Sequence, residues 1–375
     1  VKLLLAPDKF KGSLSAAAVA EALRSGWHSI LPGTEFSFAP IADGGEGFCE
    51  ALAKTLDGQW ITLESVDAIG RPVQCRYVWI AATRTAVLEM SEASGLWRLR
   101  DDERAPLRAN TFGTGLLLRD AANRGAKRIL LGLGGSATTD GGIGMAAALG
   151  FRFLSSSGES LAPIPANLPF IRRIDPAQAV PLPPVTAACD VVNPLLGPRG
   201  TAAVFAPQKG ASPEDVAFLE NALAGLAALS SQLGCKGELH KTPGAGAAGG
   251  IGFGLLAFCG ATMEPGFDLV AGASGLSTKI SAADLVLTGE GRLDSQTLEG
   301  KGPAGVAALA RSLGKPVFAF AGSIEEHPSV LERFDAAIPI VDRPVSLEEA
   351  MRDAPSFLER AAARTARLVS RPFKF

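Results

Sequence analysis

The chain has 375 residues, 47% of them hydrophobic and 20% charged, which excludes a disordered chain and gives length enough for two domains. The formal net charge is −2 and no Lys/Arg-rich stripe stands out, so neither nucleic acid nor a membrane surface is expected as a partner. The five cysteines are scattered, with no CxxC and no Cys/His cluster, so neither a disulfide framework nor a zinc site is expected.

The first apolar run is too short for a signal peptide, and no apolar stretch reaches ~18 residues without glycine or a polar break. A cytoplasmic enzyme or binding protein is expected. Val1 to Ala6 reads as a buried strand. Pro7 and Asp8 end it, Lys9, Phe10, Lys11 and Gly12 form a loop, and Leu14 to Ile30 reads as a helix with Ser13 as its N-cap. Two lysines before a helix N-terminus make a local anion trap. Phe36 to Ala42 is a second strand, followed by Asp43-Gly44-Gly45-Glu46-Gly47 and a helix, Phe48 to Leu56. Asp43 and Glu46 suit a magnesium ion or the orientation of a hydroxyl.

From Trp60 to Trp79 apolar and polar residues alternate around Gly70-Arg71-Pro72, the pattern of a half-exposed antiparallel hairpin. Ala86 to Met90 is a further short strand, and a helix opens at Thr111. Ile129 to Leu133 is strand-like and breaks into Gly134-Gly135-Ser136-Ala137-Thr138-Thr139-Asp140-Gly141-Gly142 before an apolar helix. Strand, glycine-rich loop and helix is an arrangement that presents bare backbone N–H groups to a phosphate. Ser136, Thr138 and Thr139 add hydroxyls, and Asp140 suits a cation.

Ser155 to Pro184 reads as irregular. Val185 to Cys189 is a strand ending in Asp190. Arg199 and Lys209 sit in glycine turns, where each reads as ordinary unless a charged ligand is near. Pro213 to Leu233 is helical. Gly244, Gly246 and Gly249 spell GxGxxG, but the apolar strand that a dinucleotide site needs before it is missing. Ala283 to Leu287 is a strand leading into Glu290, Arg292 and Asp294; Val317 to Ala321 and Ala337 to Val341 follow, and Leu347 to Leu368 is helical.

Strands near 1–6, 36–42, 129–133, 283–287 and 317–321 alternate with helices. An α/β class is expected, with a doubly wound parallel sheet and ligands outside its carboxyl edge. One domain is expected from 1–60, 106–150 and 282–375. A second, inserted α/β domain is expected from 61–105 and 151–281, with the active site in a cleft between them.

APDKFKGS at 6–13, ADGGEG at 42–47, GLGGSATTDGGIG at 132–144, CDVVNPLLG at 189–197 and LTGEGRLDSQTLEGKGP at 287–303 together resemble bacterial glycerate kinases of the type I family, essentially end to end. The resemblance implies a flavodoxin-like domain with a second α/β domain, and magnesium-dependent transfer of phosphate from ATP to D-glycerate, usually at the 2-hydroxyl. Family members often carry serine where Lys9 stands here, which shifts the weight to Lys11. Asp190 and Asp43 are then the candidate catalytic carboxylates, with Lys11 beside them. Gly134, Gly135, Ser136, Thr138 and Thr139 would hold nucleotide phosphates. Asp8, Lys9, Ser13, Gly44, Gly45, Glu46 and Arg292 would bind substrate, and Asp190, Glu290 and Asp294 the metal. The sequence does not fix the oligomeric state; a homodimer is among the states it allows.

Two other readings stay open at this point. GLGGSATT is also similar to the phosphate loop of the galactokinase and homoserine kinase group, which has a different, antiparallel-rich arrangement. A non-catalytic nucleotide- or acid-binding protein, or an NAD oxidoreductase using Gly244 to Gly249, is the third.

Overall fold

The computed structural model describes residues 1–42, 44–45, 47–235, 237–294, 302–325 and 327–370. In chain order the strands are β1 (Lys2–Leu5), β2 (Glu35–Phe38), β3 (Gln59–Val66), β4 (Pro72–Ile80), β5 (Thr85–Glu89), β6 (Arg128–Gly132), β7 (Arg152–Leu154), β8 (Arg173–Asp175), β9 (Val185–Ala188), β10 (Thr262–Glu264), β11 (Leu285–Leu293), β12 (Val317–Ile324) and β13 (Ala336–Pro339). The chain divides into two compact units, residues 1–42 with 267–375, and residues 43–266.

The first unit is built on a five-stranded sheet of order β13-β12-β11-β1-β2, parallel throughout. Counted within this sheet alone, the order is 2-1-3-4-5, that of flavodoxin-like doubly wound folds. Side chains alternate across a strand, so an unbroken apolar strand fills two cores. Leu3 and Leu5 pack with Leu285, Leu287 and Phe320 against Val19, Leu23 and Phe357. Leu4 and Ala6 pack with Val286, Ala319 and Ala321 against Ile280, Val306 and Ala310.

The first helix is Ala16–His28, shorter than expected, and its N-cap is Ser15, whose hydroxyl accepts from the N–H of Ala18 at 3.3 Å. It crosses the helix Ala354–Val369 so closely that a Cβ on Gly26 would stand 2.1 Å from the carbonyl oxygen of Glu359. Backbone lies on the far side, so the helices themselves must part. Gly26→Ala is expected to cost about 1–3 kcal/mol, read as a lower urea midpoint.

The second unit holds a six-stranded sheet of order β10-β9-β6-β5-β4-β3. β5, β6, β9 and β10 run parallel, and β4 and β3 continue antiparallel as the expected hairpin. A small antiparallel pair, β7 and β8, stands apart. The expectation for residues 129–133 is corrected here: β6 pairs with β5 and β9, not with β1 or β11. A short strand apolar on both faces fits the middle of either sheet, and nothing in its own residues says which. The domain division at 61–105 and 151–281 is displaced for the same reason. The helix Pro213–Leu229, with the turn after it to Leu233, is long and apolar enough to cross a membrane by composition. It buries Leu219, Ala222, Leu223 and Leu226 and keeps Glu214 and Asn221 outside, the pattern of a helix on a protein core.

Candidate active site

In the first unit, the carboxyl ends of β1 and β11 adjoin at the switch point of the sheet, where doubly wound folds bind ligands. The N–H of Asp8 donates to the carbonyl of Gly289 at 2.8 Å, and the hydroxyl of Thr288 donates to the carbonyl of Ala6 at 2.7 Å. Both β11 and β12 run on past this edge, pairing Arg292 with Ser323, so the segment expected as a loop after Leu287 is strand as far as Leu293. The backbone of Lys11 passes 3.6 Å from where a Cβ on Gly291 would stand. The structure therefore brings Asp8, Lys9, Lys11, Glu290, Arg292 and Asp294 to one edge. Lys11 is exposed, Asp8, Lys9 and Glu290 half-buried. Arg292 pairs with Asp294 at 3.1 Å. An oxygen of Asp8 lies 3.1 Å from the Cβ position of Gly302, the first residue of the helix Gly302–Ser312. Ser13 is spent elsewhere: its hydroxyl donates to the carbonyl of Met351 at 2.6 Å.

The remaining candidates are not on that sheet. The glycine loop follows β6 and Asp190 follows β9, both in the second unit, so the expectation of one rim on one sheet gives way to two groups, each on the carboxyl edge of its own sheet. Asp43 and Glu46 lie outside the described residues. Their neighbours do not: Gly44 and Gly45 pack backbone to backbone on the ends of β6 and β9. A Cβ on Gly44 would meet the carbonyl oxygen of Ala188 at 2.7 Å, and one on Gly134 would meet the Cα of Gly45 at 2.3 Å. Only glycine permits this approach.

The loop itself has two kinds of residue. Asp140 is fully buried and structural. One carboxylate oxygen accepts from the N–H and hydroxyl of Thr111, at 2.8 and 2.7 Å, and from the N–H of Gly144 at 3.0 Å; the other accepts from the N–H of Gly142 at 3.1 Å. It ties down the start of the helix Ile143–Ala148 and is no cation ligand. Burial pushes its pKa up against these four bonds, which pull it down. The residues before it are under-satisfied. Among the described residues, no acceptor takes the backbone N–H of Gly135, Ser136, Thr138, Thr139 or Asp140. The hydroxyls of Thr138 and Thr139, both buried, also have no partner. Gly135 is exposed and the others lie on buried residues, and such a concentration of donors without acceptors in a glycine loop is the form of an anion nest.

The residue beside this loop is one that the sequence placed in a glycine turn, ordinary unless a charged ligand is near. Lys209 is 2% exposed, and its ammonium donates to the hydroxyl oxygen of Ser136 at 2.7 Å and to the carbonyl of Thr138 at 2.6 Å. Burial pulls its pKa down to about 7, while the charge of Asp140 pushes it up. The folded chain therefore binds fewer protons than the unfolded chain between about pH 7 and 10.5, so this contribution to stability is complete above that range and is lost as pH falls to about 7. We expect the urea midpoint to rise with pH across this window, by up to about 1 kcal/mol per unit. Lys209→Met should flatten that slope.

The GxGxxG stretch is structural as well. Residues 248–250 take left-handed backbone at the start of the helix Ala247–Cys259, and the N–H of Gly141 donates to the carbonyl of Gly249 at 3.0 Å. Gly249 and Gly250 form the bed of the 138–141 loop, while Gly244 and Gly246 pack on Val191 and Pro194, which disposes of the dinucleotide reading. The parallel strands of both sheets likewise leave no place for the antiparallel-rich alternative. For a metal, the described residues contain no group of three or more His, Cys, Asp or Glu side chains.

The Glycerate kinase family pattern matches residues 3–370. The chain is similar to a glycerate kinase of Halalkalibacterium halodurans, 41% identical over 97% of each chain. It is 37% identical to a glycerate 2-kinase of Escherichia coli K12, over 98% of this chain and 97% of that one. A solved structure from Salmonella typhimurium LT2 that carries the name glycerate kinase 2 superimposes with a TM-score of 0.87 at 39% identity, covering 99% of this chain and 98% of the other. With pattern, sequence and fold agreeing from end to end, the chain belongs to the glycerate kinase family of enzymes.

Proposed function

We propose that this enzyme transfers the γ-phosphoryl group of ATP to the 2-hydroxyl of D-glycerate, giving 2-phosphoglycerate and ADP. The observation that carries the reading is the group of unsatisfied donors in the 135–140 loop, the N–H groups of Gly135, Ser136, Thr138, Thr139 and Asp140 and the hydroxyls of Thr138 and Thr139, which suits the phosphates of a nucleotide. Similarity to a protein named glycerate 2-kinase supports the choice of acceptor and position.

Phosphoryl transfer asks a site for alignment and charge neutralisation more than for covalent chemistry. In this reading Asp190, at the end of β9, accepts the proton of the glycerate 2-hydroxyl, with Asp43 as the other carboxylate for the role. The oxygen so freed bonds to the γ-phosphorus as the bond from that phosphorus to the β,γ-bridging oxygen breaks, and ADP leaves with the electron pair. Lys11 and Lys9 supply cationic partners for an anionic group of the substrate, with Arg292 at the same sheet edge. Magnesium, when bound, neutralises phosphate charge. It needs few protein ligands because it keeps water and phosphate oxygens, so the lack of a three-residue cluster does not count against Asp190, Glu290 or Asp294 as its holders.

The test is ADP release with and without D-glycerate, with phosphorus NMR of the product. Release that depends on D-glycerate and yields 2-phosphoglycerate upholds the reading. A 3-phosphoglycerate product moves the transfer site, and D-glycerate-independent behaviour ends it.

A further inference from the structure

The loop that presents unsatisfied donors is also the loop held by the buried lysine. A trans peptide points its C=O and its N–H in opposite directions. The carbonyl of Thr138 is taken by Lys209, so the N–H of the same peptide unit, that of Thr139, is aimed away from the lysine. That N–H is itself among the unpartnered donors of the loop. Ser136 is gripped by its hydroxyl and so keeps the start of the run in place. A lysine that holds a loop only for structure would be cheaper as an apolar residue, because burying an ammonium is costly. An anion on the far side of the peptide plane removes that cost.

We propose that Lys209 is a positioning residue for phosphate: it fixes Ser136 and Thr138 so that the donors from Gly135 to Asp140 face a phosphate group, and it supplies from behind the loop the positive charge that group meets. The proposal rests on the loop's being the phosphate site of the kinase reading. Among the described residues, the charge acting on the amine is that of Asp140. Asp140 comes from the loop, and Arg104 packs over Gly210 with its head on Asp101. Lys209 is poised near pH 7 without ligand, so an arriving phosphate stabilises the protonated amine and binding takes up a proton.

The experiment is calorimetric titration of the full chain with inorganic triphosphate, without D-glycerate, in buffers of different ionisation enthalpy from pH 7 to 9. The wild-type chain is expected to take up a fraction of a proton on binding. Lys209→Met should bind at least about ten-fold more weakly, the loss of a charge-assisted contact, with the uptake gone. Should that variant not fold, Ser136→Ala, which removes one of the two acceptors of the lysine, is expected to weaken triphosphate binding several-fold, and unchanged affinity would overturn the proposal. Triphosphate that fails to bind, binding without proton uptake, or uptake and affinity retained in Lys209→Met would each overturn the proposal. None of these depends on turnover, so a failed ADP-release assay is a separate outcome.

Discussion

Gly249→Ala is expected to be among the most damaging single methyl groups that can be added to this protein. Two costs fall on the same atom. The residue has φ +76°, a conformation that side chains adopt at a penalty, and the new Cβ would stand 1.8 Å from the carbonyl oxygen of Thr138 and 2.6 Å from its carbonyl carbon. Neither neighbour is the free end of a side chain. Thr138 is held by Lys209 through that same oxygen, and Gly249 is held by Gly141 through its own carbonyl. Backbone strain costs about 1–3 kcal/mol and overpacking a further 1–3 kcal/mol or so. Together, about 2–6 kcal/mol, these are a large fraction of the stability of a typical domain at about 5–15 kcal/mol. The expected result is a chain that melts many degrees lower or goes to inclusion bodies, with any folded fraction weak toward triphosphate. The control is Gly225→Ala. Gly225 lies inside the helix Pro213–Leu229 with nothing within 4 Å of its Cβ position, so alanine there should raise stability by about 0.5–1 kcal/mol. Thermal melts of the two variants, side by side, read the contrast. Equal melts would mean that the loop bed yields.

Much of the first unit was legible because its strands carry their instructions locally. Leu3, Leu4 and Leu5 are apolar in succession, which only a sheet buried on both faces uses, and glycine and acid after Leu287 marked the carboxyl edge. What failed was assignment at a distance. Ile129 to Leu133 has the same pattern as β1, yet pairs with β5 and β9. Pattern fixes which residues face a core, and not which core. The strand extension past Leu287 was hidden because Gly289 and Gly291 read as a break; here β12 supplies the pairing that propensity lacks. Ser13 reads as the cap, but its hydroxyl is bonded to the carbonyl of Met351 and Ser15 caps the helix instead.

The candidate site was half legible. The glycine loop and Asp190 stood out by composition, and the switch-point residues by their place after strands. Lys209 did not, because a lysine in a glycine turn reads as ordinary unless a charged ligand is near. Its burial depends on Ser136 and Thr138, more than seventy residues away in sequence for each bond. Asp140 misled in the other direction: an acid in a glycine loop suggests a cation, and four donors from the chain itself leave it none to bind.

The two aspartates should separate cleanly on mutation. Asp190→Asn is expected to lower kcat by about 10²–10⁴-fold, the usual worth of a positioned general base, because an amide cannot take the hydroxyl proton. Asp190 is half-buried at the end of β9, beyond the paired residues, so no strand pairing is lost with it and any fall in melting temperature should be smaller than that of Asp140→Asn. Asp140→Asn should do the reverse. Both carboxylate oxygens of Asp140 accept, one of them three times, and the amide nitrogen that replaces either oxygen turns a donor toward a backbone N–H. Each buried group left unmatched costs about 1–3 kcal/mol, so stability falls first. Turnover per folded molecule then falls only as far as the loop is disturbed. Urea midpoints and kcat measured on the same preparations distinguish the two, and Asp43→Asn completes the set. If Asp190→Asn keeps its turnover and Asp43→Asn loses it, the proton goes to Asp43. If both keep it, neither carboxylate is the base and the assignment of the hydroxyl proton falls, whatever the loop is found to bind.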